Sequence, residues 1–388
     1  MDNFTLNIPT KIFFGRNQIK VLGRQIEKYG ATRVLICYGS KRIKQDGLFR
    51  TITDKLTDRG LFYTELGGIA PNPRITSVRE GVRICREENI DFILAVGGGS
   101  VIDCAKLIAG SVNYEGDPWD FCLRKAAINK ALPIGTVLTL AATGSESNGN
   151  AVISNIETGQ KLAVYSPILW PKFSILDPEY TYTVPPFHTA AGIADIMSHI
   201  FEQYFSPTPD TFTQDRLSEA LLKTCLKYAP VVMENPHDYT ARAEILWAGN
   251  LALNTLLSLG REGDWANHSI EHEVSALFDI SHGAGLAILF PNWMKYVMDD
   301  SNADKFYSLA VNVFGVAERD DKKAAALEGI DRLRAFYSSI GLPARLSETG
   351  VEEDSLQKMA EGAVRFGEIG EFRKLKSKDI LAILKMAY

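Results

Sequence analysis

The chain has 388 residues, of which 46% are hydrophobic and 23% are charged, a composition typical of a globular protein with a large apolar core. Lysine and arginine (42 residues) are outnumbered by aspartate and glutamate (47 residues), and the net charge of -5 without a long basic run argues against a nucleic-acid partner. The sequence contains neither a signal-peptide pattern nor an apolar run of membrane-spanning length, so we expect a cytoplasmic protein with no membrane partner. The five cysteines are scattered without CxxC spacing, which predicts free, buried thiols.

The first predicted element is a strand in the segment FTLNIPTKIFFG, residues 4–15. This segment precedes the main alternation of the chain and contains Pro9, features typical of a strand at the edge of a sheet. An unpaired sheet edge has to be covered or paired, and we therefore expect a homo-oligomer, most simply a homodimer.

Short apolar runs alternate with longer amphipathic runs from about residue 32 to residue 184, as in RVLICYG, LFRTITDKLTDRG, TELGG, SVREGVRICREEN and DFILAVGGGS. This alternation predicts a parallel α/β sheet, with its glycine-rich turns along one edge. Pro185 and Pro186 end the pattern, because proline continues neither a strand ladder nor a helix interior. Later segments carry apolar residues at helical spacing. We therefore predict an α/β domain over 1–184 and a helical domain over 185–388, and the motifs below assign dinucleotide binding to the first and metal binding to the second.

A glycine turn, Gly97-Gly98-Gly99-Ser100, joins the strand-like residues 91–96 to an amphipathic helix. Glycines let backbone N–H groups approach a diphosphate, and a helix start offers unpaired donors, so the turn predicts a phosphate cradle. It is neither a Walker A loop nor a GxGxxG fingerprint, which would need Gly or Ala where Ile102 stands. The alternative is an ordinary tight turn between strand and helix.

A second polar turn lies in TVLTLAATGSESNGNAVI, residues 136–153, where an apolar strand runs into hydroxyl side chains and glycine. Such groups suit contacts with ribose or phosphate. Taken alone, the segment fits an ordinary polar loop equally well.

Four of the six histidines fall within apolar surroundings in the helical half. Asp195 and His199 are four residues apart, as are His268 and His272, so helices would place each pair on one face, and His282 follows soon after. One carboxylate with several imidazoles is a ligand set for Fe²⁺ or Zn²⁺. The alternative for any single histidine is a satisfied core residue.

Two other functions are compatible with parts of this pattern. His268-Ser269-Ile270-Glu271-His272 also satisfies HxxEH, so a zinc hydrolase would bind metal through both histidines and activate water with Glu271. That hypothesis leaves the phosphate cradle and Asp195 without a role. A non-catalytic nucleotide-binding module would leave the histidines without one.

Six segments together resemble the iron-containing alcohol dehydrogenases, most closely their butanol dehydrogenase branch, which reduces aldehydes. They are IAPNPR, AVGGGSVIDCAK, LTLAATGSESN, LDPEYTYTVPP, GIADIMSHIFEQYF and DWANHSIEHEVSALFDISHGAGLAILFP. The resemblance implies a Rossmann-like α/β domain followed by an all-α domain, the dehydroquinate synthase-like architecture. It further implies a metal-dependent alcohol dehydrogenase or aldehyde reductase that exchanges hydride between NAD(P)H and a small aldehyde or primary alcohol.

The resemblance also assigns residues. The metal ligands it implies are Asp195, His199, His268 and His282. His272 is implied as a catalytic histidine close to nicotinamide and substrate that does not bind the metal. The implied cofactor contacts are the cradle Gly97, Gly98, Gly99 and Ser100 with Asp103 just behind it, Thr139, Thr143 and Ser145 along the groove, and Lys161 near the nicotinamide ribose.

The choice of cofactor is expected to depend on the end of the first sheet strand, Tyr38-Gly39-Ser40-Lys41. A carboxylate there would accept a hydrogen bond from the ribose 2′-hydroxyl of NAD and repel the 2′-phosphate of NADP. By the resemblance, Gly39 stands where NAD-specific members carry Asp, and Ser40 and Lys41 can donate to a phosphate. We therefore predict NADP, with NAD as the alternative.

Overall fold

The computed structural model describes residues 1–388 and divides into two compact units. One unit is Asn7–Val184, and the other is Pro185–Tyr388 together with Met1–Leu6. The prediction had placed the first six residues in the α/β domain. They join the helical unit instead, because the Asp2 backbone N–H donates to the carbonyl oxygen of Gly260 at 2.8 Å.

Six parallel strands form the sheet of the first unit. Their bounds are β1 Lys11–Phe14, β2 Arg33–Tyr38, β3 Phe62–Leu66, β4 Phe92–Gly97, β5 Ile134–Leu138 and, after a hairpin, β8 Phe173–Leu176. Their order across the sheet is β1-β8-β5-β4-β2-β3, so β1 is an edge strand as predicted. The central β4 is buried along its whole length, which explains its continuous apolar run.

Helices connect the strands of this unit. They are α1 Leu22–Glu27, α2 Arg42–Gln45, α3 Leu48–Thr57, α4 Ile75–Glu87, α5 Gly99–Ser111 and α6 Trp119–Cys122. Leu22 of α1 and Ile52 of α3 are fully buried and belong to one apolar cluster with Val34 and Phe92 of the sheet. The sheet and its helices therefore share a core, and all five cysteines of the chain are buried free thiols as predicted.

An antiparallel hairpin, β6 Asn150–Asn155 and β7 Gln160–Tyr165, stands apart from the main sheet. The sequence pattern did not predict it, because residues 136–153 were interpreted as one strand followed by a polar loop. The polar loop instead ends at Asn150, where the hairpin begins.

Nine helices make up the second unit. They are α7 Pro186–Tyr204, α8 Phe212–Glu234, α9 Tyr239–Ala252, α10 Ala266–Phe278, α11 His282–Val297, α12 Ala303–Asn312, α13 Lys322–Ser339, α14 Leu356–Ala363 and α15 Ser377–Ala387. None combines the length and apolar composition that a bilayer crossing requires. The predicted fold class, an α/β domain followed by an all-α domain, is confirmed.

Helix α7 lies at the centre of this unit, since every residue from Thr189 to Tyr204 is buried. The first turn of α11 packs closely against it: a β-carbon at Gly283 would overlap the carbonyl oxygen of Ala191. Glycine at this position therefore lets the start of α11, including His282, approach α7.

Candidate active site

The predicted phosphate cradle lies where β4 ends and α5 begins. Gly97 is the last residue of β4, and Gly98 is the N-cap of α5 with no side chain capping the helix start. A β-carbon at Gly99 would overlap the side chain of Thr143, so the polar turn reaches the cradle only because residue 99 is glycine. The uncapped N-terminus leaves backbone N–H groups and the positive end of the helix dipole available to an anion.

Two of the residues assigned to the cofactor groove contact each other beneath the cradle. Ser145 and Asp103 are both buried, and the Ser145 hydroxyl donates to Asp103 Oδ1 at 2.6 Å. The other Asp103 oxygen accepts from the backbone N–H of Val152 at 2.9 Å. Asp103 therefore ties the polar turn and the hairpin to α5.

A buried lysine that the sequence analysis did not single out completes this arrangement. Lys106 Nζ donates to Ser145 Oγ at 2.8 Å, to Asn148 Oδ1 at 3.0 Å and to the Asn150 carbonyl at 2.7 Å. Burial lowers the pKa of Lys106 to about 8, although the nearby Asp103 and Glu146 oppose the shift. Lys106 follows Asp103 by three residues on the same helix, and this spacing could have predicted that the two side chains lie close together.

The other predicted cofactor contacts are distributed over the same unit. Thr139 and Thr143 are half-buried in the polar turn, and the Thr139 backbone N–H donates to Gly97 O at 3.1 Å. Lys161 is buried in β7 opposite Ser154. The structure thus brings Thr139 and Thr143 to the cradle and places Lys161 in the hairpin.

The predicted adenosine end lies beside the cradle, since β2 and β4 are neighbours with Tyr38 paired to Val96. Gly39 is half-buried, and Ser40 and Lys41, which follow it, are exposed. Glu65 of the neighbouring strand β3 accepts from the Tyr38 hydroxyl at 2.9 Å and forms an ion pair with Lys44 at 2.7 Å.

The predicted metal ligands of the helical unit converge. Asp195 Oδ1 lies 3.7 Å from His199 Nδ1 within α7 and 3.7 Å from Nε2 of His282, the first residue of α11. Ligand atoms of Asp195, His268 and His282 all lie within 4.8 Å of one another. The His199 and His268 ring centroids are 4.8 Å apart. Asp195, His268 and His282 therefore form one group from three helices, and His199 adjoins it through Asp195 and His268.

These residues fit a divalent metal ion. His199 Nδ1 and His268 Nε2 are buried and have no hydrogen-bond partner, although buried polar atoms are normally paired. Burial, together with the neighbouring His268 and His282, holds the pKa of His199 well below its usual value, so this imidazole is neutral. Neutral imidazoles with free lone pairs beside a carboxylate are ligands for iron or zinc.

His272 lies next to this cluster. Its ring centroid is 5.6 Å from that of His282, and the side chain is half-buried. A second group of possible ligand atoms joins Glu271, His272 and His282. Spacing alone did not distinguish His268 from His272, and the structure groups His268 with Asp195.

Glu271 does not fit the role that the hydrolase hypothesis gave it. Its side chain is fully buried, and the carboxylate contacts His282 Nδ1 and the Ser275 hydroxyl. A general base for water would need an oxygen facing the site. The sequence analysis also gave no role to Glu202 of α7, which contacts His268, or to Trp265, whose ring centroid is 5.3 Å from that of His268.

The α/β unit with an open glycine cradle and the helical unit with an Asp/His cluster define a nucleotide-dependent metalloenzyme. Comparisons with known proteins narrow this class. The family described as iron-containing alcohol dehydrogenase matches residues 9–178, and the C-terminal domain of the same family matches residues 189–388. The chain therefore belongs to the iron-containing alcohol dehydrogenase family.

Individual relatives agree with this assignment. NADH-dependent butanol dehydrogenase A of Clostridium acetobutylicum is 50% identical over 100% of both chains. The NADPH-dependent aldehyde reductase of Escherichia coli is 40% identical over 95% of this chain and 96% of its own. The crystal structure of NADH-dependent butanol dehydrogenase A from Thermotoga maritima superimposes with a TM-score of 0.96 at 39% identity, covering 100% of this chain and 99% of that one. The chain is a nicotinamide-dependent alcohol dehydrogenase or aldehyde reductase with an iron-type metal, and nothing supports the hydrolase hypothesis.

Proposed function

We propose that this enzyme reduces short aliphatic aldehydes to primary alcohols, and catalyses the reverse oxidation, with its metal held by Asp195, His199, His268 and His282. The observation that carries the proposal is the pair of buried imidazole nitrogens, His199 Nδ1 and His268 Nε2, that have no partner beside a carboxylate. We propose Fe²⁺ or Zn²⁺ as the ion. When bound, it supplies Lewis-acid polarisation of the substrate carbonyl.

The residues of the α/β unit bind and orient the cofactor in this proposal. Backbone N–H groups of Gly98 to Ser100 hold the diphosphate at the start of α5, and Thr139 and Thr143 contact the cofactor from the polar turn. Lys161 binds the nicotinamide ribose. The reduced nicotinamide supplies the hydride. Asp103 and Ser145 act from below by fixing the polar turn, since their side chains bond to each other.

His272 is the residue that we propose moves a proton. It is half-buried, and its ring lies beside that of His282, so it reaches both the site and solvent. Imidazole can both accept and donate a proton at its ring nitrogens, which suits proton delivery to the alcohol oxygen. Trp265, 36% exposed beside His268, offers an apolar surface for the alkyl chain of the substrate.

We propose NADPH as the preferred reductant and NADH as the alternative. Gly39 carries no carboxylate that would repel a 2′-phosphate, and the acid nearby, Glu65, is neutralised by Lys44. Exposed Ser40 and Lys41 can donate to the phosphate. The relatives include an NADH-dependent enzyme at 50% identity and an NADPH-dependent enzyme at 40% identity, so the family uses both cofactors.

The test is oxidation of NADPH or NADH by the purified protein with aldehydes from C2 to C8, before and after chelation and after refilling with Fe²⁺ or Zn²⁺. We expect aldehyde-dependent oxidation that is lost on chelation and restored by metal. Oxidation that is unaffected by complete metal removal would contradict the proposed metal role, and lack of turnover with every aldehyde would contradict the substrate class.

A further inference from the structure

Two buried glutamates each contact the Nδ1 ring nitrogen of one predicted metal ligand, His268 or His282. Glu202 lies on α7, one turn after His199, and is fully buried. Its Oε1 accepts from the ring Nδ1 of His268 at 2.8 Å and from the backbone N–H of the same residue at 2.9 Å. One carboxylate oxygen thus fixes both the ring and the first turn of α10.

Glu271 makes the equivalent contact to the next histidine. It lies on α10, is fully buried, and its Oε2 contacts Nδ1 of His282, while its Oε1 accepts from the Ser275 hydroxyl. Helix α11 packs tightly against this side chain, since a β-carbon at Gly285 would lie 3.0 Å from Glu271 Cγ. The glutamate is therefore held on both oxygens and by packing.

These contacts determine which ring nitrogen carries the proton and which carries the lone pair. A neutral imidazole carries one proton, and a carboxylate at Nδ1 requires that proton there, so the lone pair is left on Nε2. His268 Nε2 is the buried nitrogen without a partner, and His282 Nε2 is the nitrogen 3.7 Å from Asp195 Oδ1. In both residues the nitrogen that does not contact a glutamate lies on the side of Asp195.

We infer that Glu202 and Glu271 are positioning residues that fix the tautomer of His268 and His282 and make both imidazoles stronger metal ligands. A carboxylate accepting from the distal nitrogen raises the basicity of a coordinating imidazole. With Asp195, the two glutamates bring three carboxylates to the three imidazoles that would hold the cation. The inference rests on the proposed metal site, and it identifies two residues that raise the affinity of that site for the metal ion.

The test is titration of the metal-free, full-length protein with Co²⁺, followed by its visible absorption. E202Q and E271Q should each bind Co²⁺ about 10- to 100-fold more weakly than the unchanged protein, because an amide keeps the shape of the side chain but loses its charge. Their d–d bands should also shift, as expected for less basic ligands. The matched control is E273Q on the same helix, where the carboxylate pairs with Arg365 at 2.7 Å and not with histidine, and its Co²⁺ affinity and spectrum should be unchanged.

Equal Co²⁺ affinity and identical spectra for E271Q and E273Q would overturn the inference. Circular dichroism of the metal-free variants checks folding, and E271Q remains decisive if E202Q fails to fold after losing its backbone contact. Aldehyde reduction by the metal-loaded unchanged protein is measured separately. Weak Co²⁺ binding by E271Q without any aldehyde reduction by the unchanged protein would contradict the proposed function and support this inference.

Discussion

His268 and His272 are one helical turn apart on α10, and their surroundings give them different roles. Nε2 of His268 is buried without a partner next to Asp195, whereas His272 is half-buried beside His282. His268→Ala should therefore lose metal and activity together, as should Asp195→Ala. His272→Ala should retain metal while kcat falls by about 10²- to 10⁴-fold, the usual range for a lost proton-transfer group.

Metal content by plasma emission spectroscopy and kcat, measured on the same samples, check this assignment. Equal metal loss from the His268 and His272 variants would mean that both are ligands, and the HxxEH arrangement would then describe the site better.

Lys106 provides a prediction about stability and pH. Its folded-state pKa of about 8 lies below the unfolded value of about 10.4, so protonated Lys106 is penalised in the folded state at all pH values below 8. Between pH 8 and 10.4 the unfolded chain binds the proton and the folded chain releases it, so this contribution to stability rises with pH. The rise is on the order of 3 kcal/mol over that window.

Lys106→Met is the variant that isolates this effect. At pH 7 it should lower the free energy of unfolding by about 1–2 kcal/mol, because three oxygens, of Ser145, Asn148 and Asn150, lose their donor while the penalty for burying the charge is removed. Urea unfolding at pH 7.5 and at pH 10 measures the free energy of unfolding of both proteins. The difference between the unchanged protein and the variant should be larger at pH 10. A gap that stays constant or narrows would contradict the assigned environment of Lys106.

At the scale of elements, the end of β2 is predicted to select the cofactor. A β-carbon at Gly39 would lie 3.3 Å from the Ile69 carbonyl and 3.6 Å from Val101 Cγ2, so Gly39→Asp requires only a small adjustment. The new carboxylate should repel a 2′-phosphate and accept from a 2′-hydroxyl. The kcat/KM ratio of NADPH to NADH should fall by tens-fold to about a thousandfold, equivalent to about 2–4 kcal/mol.

The ratio is measured for both cofactors in both proteins with one aldehyde. A preference for NADH in the unchanged enzyme would contradict the NADP prediction. An unmoved ratio in Gly39→Asp would show that the end of β2 does not border the adenosine ribose.

The alternation of apolar and amphipathic runs was enough to predict the parallel sheet. Pro9, in a segment before that alternation, predicted the edge position of β1, and helical spacing after Pro186 predicted the helical second unit. The hairpin β6–β7 was missed because its first strand, Asn150–Asn155, follows the polar loop directly and is itself polar at both ends. Helical spacing placed Asp195 with His199 but treated His268 and His272 alike, since i and i+4 share one face. Glu202 follows His199 by three residues, so helical spacing could have placed it on the same face of α7. Its contact with His268 of α10 depends on tertiary packing, which spacing does not reveal.

At the scale of the whole molecule, the open side of β1 supports a homodimer. This strand pairs only with β8, and Phe14 at its end is 37% exposed. An exposed strand edge is normally covered in a stable protein. Light scattering at micromolar concentration should therefore give twice the 42.9 kDa chain mass. A monomeric mass would contradict the prediction.

The central claim is that the chain moves hydride from a reduced nicotinamide to an aldehyde carbon in a metal-dependent step. The most direct measurement uses NADPH or NADH with deuterium at C4 on the transferred face, determined by testing both isomers, and butanal as substrate. Mass spectrometry of the butanol formed by the metal-loaded protein should find one deuterium at C1, and chelated protein should form no butanol. Butanol without the label from either isomer, or equal labelling by chelated protein, would contradict the account.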